Sequence, residues 1–130
     1  MVNIRKFAGY LAAHANVEKI ISYPYDCVET EEAKEFSKGN PMSFYHVNKP
    51  EIDLPEGTNP YDDCVYEKGR ENLEHFIEQG YLVKDNEPNL YLYGQTMGTH
   101  SQFGVVCLSS IADYENNLIK RHEKTIPKKE

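Results

Sequence analysis

Leu90-Tyr-Leu-Tyr-Gly-Gln95 and, beyond Thr96-Met-Gly-Thr-His-Ser101, Gln102-Phe-Gly-Val-Val-Cys-Leu-Ser109 decide the fold class. The first stretch alternates Leu and Tyr, and the second carries an apolar run from Phe103 to Leu108. Both are strand patterns, and the segment between them is short enough for a hairpin. Upstream lies a different periodicity. Asn59 reads as a helix cap, Pro60 as the first helical residue, and Asp62 and Asp63 suit the positive end of a helix dipole. Tyr61, Val65, Leu73, Phe76 and Ile77 then recur at helical spacing until Gly80, which predicts a helix over 60–79.

A shorter helix is expected over 30–38, with Thr30 as its cap, Glu31 and Glu32 in the first turn and Gly39 past its end. Ser43 to Val47 reads as a short strand, and Val2 to Ala13 as a segment that starts as one. Residues 22–27 form an extended turn, because Pro24 keeps Tyr23 out of the helical region. Residues 48–58, with Pro50, Pro55 and Gly57, are loop chemistry. Ile111 to Lys124 reads as a turn and then a helix starting near residue 114. The expected fold class is α+β, with a mixed, mostly antiparallel sheet on which two or three helices pack.

Length and charge exclude more than they name. The 130 residues suffice for one domain. Fourteen Lys+Arg against 21 Asp+Glu leave a net charge of −7, which argues against nucleic acid as a partner. Residues 71–117 hold seven acids and one base, whereas 118–130 hold five bases and two acids. Residues 88–112 carry no charge, yet Asn89, Gln95, His100 and Gln102 make them too polar to span a membrane. Cys27, Cys64 and Cys107, at separations of 37 and 43 residues, fit neither a zinc site nor a disulfide framework. They are expected to be buried, reduced thiols of a cytoplasmic protein. The N-terminus lacks the apolar run of a signal peptide.

Chemistry has few places to sit. His122-Glu123 is an adjacent acid/base pair that could share proton transfer, or hold a metal with a third ligand; the alternative is a solvated face of a basic tail. Asp26, on a turn after Pro24-Tyr25, suits a metal or an amine, or else caps its own turn. His46 would share a strand face with Phe44, as a hydrogen-bonded core residue or a ligand. No phosphate loop, dinucleotide fingerprint or nucleophile elbow can be written on the chain.

Several phrases nevertheless resemble one family. They are Tyr23-Pro-Tyr-Asp26, Asn40-Pro-Met-Ser-Phe-Tyr-His-Val47, Pro50-Glu-Ile-Asp-Leu54, Leu90-Tyr-Leu-Tyr93, and Asp113-Tyr through His122-Glu-Lys-Thr125. In this order they are similar to the opening third of the bacterial domain-of-unknown-function family 1015. By that resemblance the chain ends after the His-Glu-x-Thr phrase and is the N-terminal part of a larger ParB/sulfiredoxin-like protein. Residues 1–100 would then be family-specific, and 101–130 would begin the ParB-like core. The His-Glu phrase also resembles that of free-serine kinases. The resemblance implies phosphotransfer in serine or phosphoserine metabolism with ATP or ADP and Mg, this chain forming part of the site. Glu123 would be the catalytic base and His122 a phosphate or metal contact, with Tyr25, Asp26, Asn40, His46 and Thr125 binding substrate. The other expectations are a nucleotide-responsive regulatory module and a non-catalytic assembly domain. A chain cut short would self-associate or expose an apolar patch around Phe103 to Leu108.

Overall fold

The long helix forms where its apolar spacing demands, but it starts later than Asn59. In the computed structural model, which describes residues 1–120, helix α4 spans Asp63–Glu78 with Asp62 as its cap. Asn59 instead closes a tight turn, its Oδ1 accepting from the Tyr61 N–H at 3.1 Å. Val65 and Phe76 on the inner face of α4 are 3% and 1% exposed. Gly69 lies on the same face, where a Cβ would meet Pro50 Cγ at 3.2 Å and the Val47 carbonyl at 3.3 Å. A mid-helix glycine costs about 1 kcal/mol against alanine; here it admits the neighbouring backbone.

The other helices among the described residues are α1 (Val17–Ile20), α2 (Thr30–Ser37), α3 (Tyr45–Asn48) and α5 (Ile111–Glu115). Helix α2 is capped one residue earlier than expected: Glu29 is the cap, and its N–H donates to the Glu32 carboxylate at 3.0 Å. The expected strand over 43–47 is absent, and α3 occupies its place. The Ser43 N–H donates to the Asn40 carbonyl and the His46 N–H to that of Ser43, winding the segment into turns. Tyr45 thereby enters the core at 2% exposure, with Val28, Ala33 and Ile52 around it. Core packing outweighs the β-propensity of Phe44-Tyr-His-Val47.

The sheet also differs from expectation. The strands of the described residues are β1 (Ile4–Arg5), β2 (Tyr10–Ala12), β3 (Leu82–Lys84), β4 (Tyr91–Met97), β5 (His100–Val106) and β6 (Leu108–Ser109). They form separate two-stranded antiparallel ladders, β1–β6, β2–β3 and β4–β5, rather than one sheet carrying the helices. In the helical region α2 and α4 each pack on α3, and all three pack on the 3₁₀ turn Pro50–Asp53. The hairpin closes more tightly than expected: Met97 pairs with His100 across Gly98-Thr99, and Gly98 takes φ +61°.

The chain divides into two compact units. One comprises Tyr10–Lys84, with the helices α1–α4 and the β2–β3 ladder. The other joins Met1–Gly9 to the chain from Asp85 onward. In this second unit the buried Asp113 carboxylate accepts from the Asn3 backbone N–H at 2.6 Å and from its side-chain amide at 3.2 Å. Beside it, β1 pairs with β6.

Tyr91 anchors the hairpin base in this unit. Its hydroxyl donates to Asp85 at 2.6 Å and accepts from the Gly9 N–H at 2.7 Å, and its ring lies 5.1 Å from that of Phe7. The bond to the Asp85 carboxylate, helped by burial, holds the phenol above its ordinary value. A phenol whose folded value is raised contributes stability that is complete below the unfolded value of about 10 and is lost as pH rises through the folded one. We therefore expect Tyr91 to contribute a late step to an ultraviolet titration of the protein. Tyr91→Phe should delete that late step, and an unchanged titration in the variant would contradict the assignment.

Candidate functional site

Of the residues that sequence reasoning singled out, the structure joins Asn40 and His46. His46, carried by α3 and not by a strand, places Nδ1 at 2.9 Å from both carboxylate oxygens of Asp53. Its Nε2 lies 3.2 Å from the Asn40 carbonyl. Both ring nitrogens thus face oxygen atoms, Nδ1 a carboxylate and Nε2 a backbone carbonyl. The ring is 21% exposed and acts as a strut between Asp53 and the Asn40 loop.

Asp53 and Asn72 complete this network, and sequence reasoning assigned no role to either. The Asn72 amide donates to the His46 carbonyl at 2.6 Å and to Asp53 Oδ2 at 2.8 Å. A signal for Asn72 existed. Val65, Gly69, Asn72 and Phe76 lie four, three and four residues apart, so Asn72 is an amide within the inward stripe of α4. A polar residue there needs a partner across the interface. Lys49 and Glu51 form a second shielded contact nearby in the chain, 3.7 Å apart with side chains 12% and 9% exposed. Thr30 Oγ1 donates to the same Glu51 carboxylate at 3.2 Å, tying the start of α2 to the 3₁₀ turn.

Asn40 also faces outward. With Lys19, Gly39, Pro41 and Met42 it lines an open groove of about 380 Å³. Its amide donates to the Lys19 carbonyl at 2.7 Å, and its Oδ1 accepts from the Met42 N–H at 3.2 Å, so its side chain is held from two sides. The Lys19 ammonium has no ion-pair partner among the described residues. A groove lined by a fixed amide and a lysine residue is suited to an anionic group, since a charge-assisted hydrogen bond is stronger than a neutral one.

Tyr25 and Asp26 sit elsewhere in the same unit, in the exposed 3₁₀ turn Tyr25–Cys27. The Asp26 carboxylate accepts from the Cys27 thiol at 3.7 Å, away from the Asn40–His46 pair. His122, Glu123 and Thr125 lie outside the described residues. The cysteines correct an expectation: Cys27 and Cys64 are exposed and Cys107 is half-buried, all of them free. Cys64 falls in the first turn of α4, off its buried stripe, and Cys27 ends a turn that faces solvent. Among the described residues no cluster of three or more His, Cys, Asp or Glu could hold a metal ion. None of their helices is long and apolar enough to cross a membrane.

The class is therefore an α+β protein with antiparallel ladders and a lysine-bearing groove braced by a His–Asp–Asn network. The particular family follows from comparison: the family described as "Protein of unknown function (DUF1015)" matches residues 4–130, and the chain belongs to it. This match corrects the reading of the chain as only the opening third of that family, truncated after His122-Glu-Lys-Thr125. The likeness runs over nearly the full 130 residues and is not limited to an N-terminal third. No curated protein and no solved structure matches the chain.

Proposed function

We propose that this protein takes part in phosphotransfer on serine or phosphoserine, with ATP or ADP and Mg as the partner nucleotide, and that this chain forms part of the site. The observation that carries the reading is the Lys19–Asn40 groove. There a lysine without an ion-pair partner among the described residues and a doubly held amide line the same groove, in a chain of net charge −7. An anion repelled by the rest of such a surface is drawn to that cation. The His46–Asp53–Asn72 network keeps the Asn40 loop in place.

In the forward direction the serine hydroxyl oxygen attacks the γ-phosphorus of ATP. The new O–P bond forms as the bond to the β-phosphate oxygen breaks, ADP leaves, and the hydroxyl proton passes to a carboxylate. The likeness of His122-Glu123 to the serine-kinase phrase supports Glu123 as that carboxylate and His122 as a phosphate contact, with Thr125 nearby in the phrase. Asp26, on its exposed turn beside Tyr25, suits the serine ammonium. This reading places the protein in the cytoplasm, as a ParB/sulfiredoxin-like enzyme and a homo-oligomer.

The test is incubation of the protein with serine and ATP, or phosphoserine and ADP, following phosphoryl transfer by phosphorus NMR. Turnover that weakens in KM on Lys19→Gln sustains the reading. Nucleotide-dependent protection from proteolysis without turnover assigns the protein to the regulatory class instead.

A further inference from the structure

Two aromatic rings stand at the surface of the helical unit, held there by the core. Tyr23 and Phe36 are 65% and 55% exposed, and their ring centroids lie 5.9 Å apart at a tilt of 58°. The buried Tyr45 fixes both. Its ring stacks on that of Phe36 at 6.2 Å, and its hydroxyl accepts from the Tyr23 N–H at 3.1 Å. Pro24, at φ −52°, sets the course of the chain directly after Tyr23. The ring pair is therefore ordered before any ligand arrives, which lowers the cost of binding one. Among the described residues no cation covers either ring, Lys84 lying over Tyr10 instead.

The charge around the rings has one sign. Residues 22–37 hold five acids and one base. Lys34 and Lys38 pair with Glu31 and Glu35, whereas Asp26, Glu29 and Glu32 have no ion-pair partner among the described residues. Glu32 precedes Phe36 by four residues on α2, so the two share a helix face. Helical side chains lean toward the N-terminus, which brings the Phe36 ring toward the turn of Glu32. The Glu32 Oε2 accepts from the Glu29 N–H at 3.0 Å, which holds the exposed carboxylate in place. An ionised carboxylate has lone pairs for further donors.

We propose that Tyr23, Phe36 and Glu32 form a recognition site for an arginine side chain of a partner polypeptide. Charge complementarity selects this occupant, since a surface of unpaired carboxylates draws a basic segment and repels an acidic one. The rings narrow the choice further. A guanidinium is planar and weakly hydrated, so it stacks on an aromatic face while its fork of N–H donors reaches a carboxylate. An ammonium is a compact, strongly hydrated charge and gains less from the same surroundings. Two exposed rings and one exposed carboxylate bind a lone arginine weakly, in the millimolar range, and a longer basic segment more tightly. The site shares no residue with the Lys19–Asn40 groove, so it stands or falls apart from the phosphotransfer reading.

The test is an NMR titration of the labelled protein with the blocked pentapeptide Gly-Gly-Arg-Gly-Gly and with its lysine and glutamine counterparts. The arginine peptide should shift the ring resonances of Tyr23 and Phe36 saturably, the lysine peptide should bind several-fold more weakly, and the glutamine peptide should leave the rings unmoved. Phe36→Leu keeps the apolar bulk and removes the ring, and should weaken arginine binding about two- to fivefold, the worth of one exposed cation–π contact. Tyr23→Leu should do the same and serves if the first variant loses its fold. Glu32→Gln retains the bond to the Glu29 N–H, and should weaken binding by a similar factor and flatten its dependence on salt. Rings that stay unmoved up to about 20 mM arginine peptide, well beyond millimolar dissociation, overturn the proposal. So does equal binding of the arginine and lysine peptides, or wild-type affinity in folded Phe36→Leu and Tyr23→Leu.

Discussion

Phe76→Ala should cost the helical unit about 3–5 kcal/mol, the range for truncating a buried aromatic residue to alanine. Phe76 is 1% exposed and meets two rings edge-on, Phe44 at 6.1 Å and Tyr81 at 5.4 Å. Truncation removes both edge-to-face contacts. It also leaves a cavity on a helix face whose packed neighbours cannot refill it without moving backbone. Domains of this size have stabilities of about 5–15 kcal/mol, so the loss is a large fraction of the total. Urea unfolding followed by circular dichroism measures it. Leu73, on the same helix but 38% exposed, is the internal comparison, and Leu73→Ala should cost about 1 kcal/mol or less. Equal losses at the two positions would show that the inner face of α4 is misassigned.

That comparison also marks what the sequence makes legible. The α4 stripe and the β4–β5 alternation are local periodicities of one element each, and the structure carries both. Phe44-Tyr-His-Val47 is a different matter. Its β-branched and aromatic residues suit a strand, and what winds it into α3 is the core that receives Tyr45, together with the Asn40 and Ser43 carbonyls that close its turns. That core is built from Val28, Ala33 and Ile52, and no window on the segment itself contains them all. Strand β3 has the same origin: Leu82–Lys84 is too short for a period, and pairing with β2 defines it from the far end of its unit. The ladders stay apart because each pairs a segment with a single partner, and among the described residues no strand has two neighbours. In the site, Asn40 and His46 were legible as residue types, and Asn40 faces the groove. Asp53 and Lys19 were not, since a lone aspartate in a proline-rich loop and a lone lysine in a short helix gain meaning only from what the fold sets beside them.

The second large effect concerns chemistry. If the phosphotransfer reading holds, Glu123→Gln should lower kcat by about 10²–10⁴-fold, the usual contribution of a positioned general base. Glutamine keeps the shape and most of the hydrogen-bonding capacity of glutamate but cannot take the hydroxyl proton, so affinity for nucleotide and serine should stay near the wild-type level. Lys19→Gln makes the opposite division. Its ammonium binds the anion in ground and transition states alike, so its loss raises KM and spares kcat. The pair of variants separates two roles that a single inactive mutant would merge. Phosphoryl transfer followed at saturating and limiting serine gives both constants, with circular dichroism confirming that each variant is folded. Wild-type kcat in the Glu123→Gln variant would remove Glu123 from the proton transfer and leave the groove as a binding site. Loss of kcat with a matching loss of fold would make Glu123 a structural partner of its basic neighbours Arg121 and Lys124 instead.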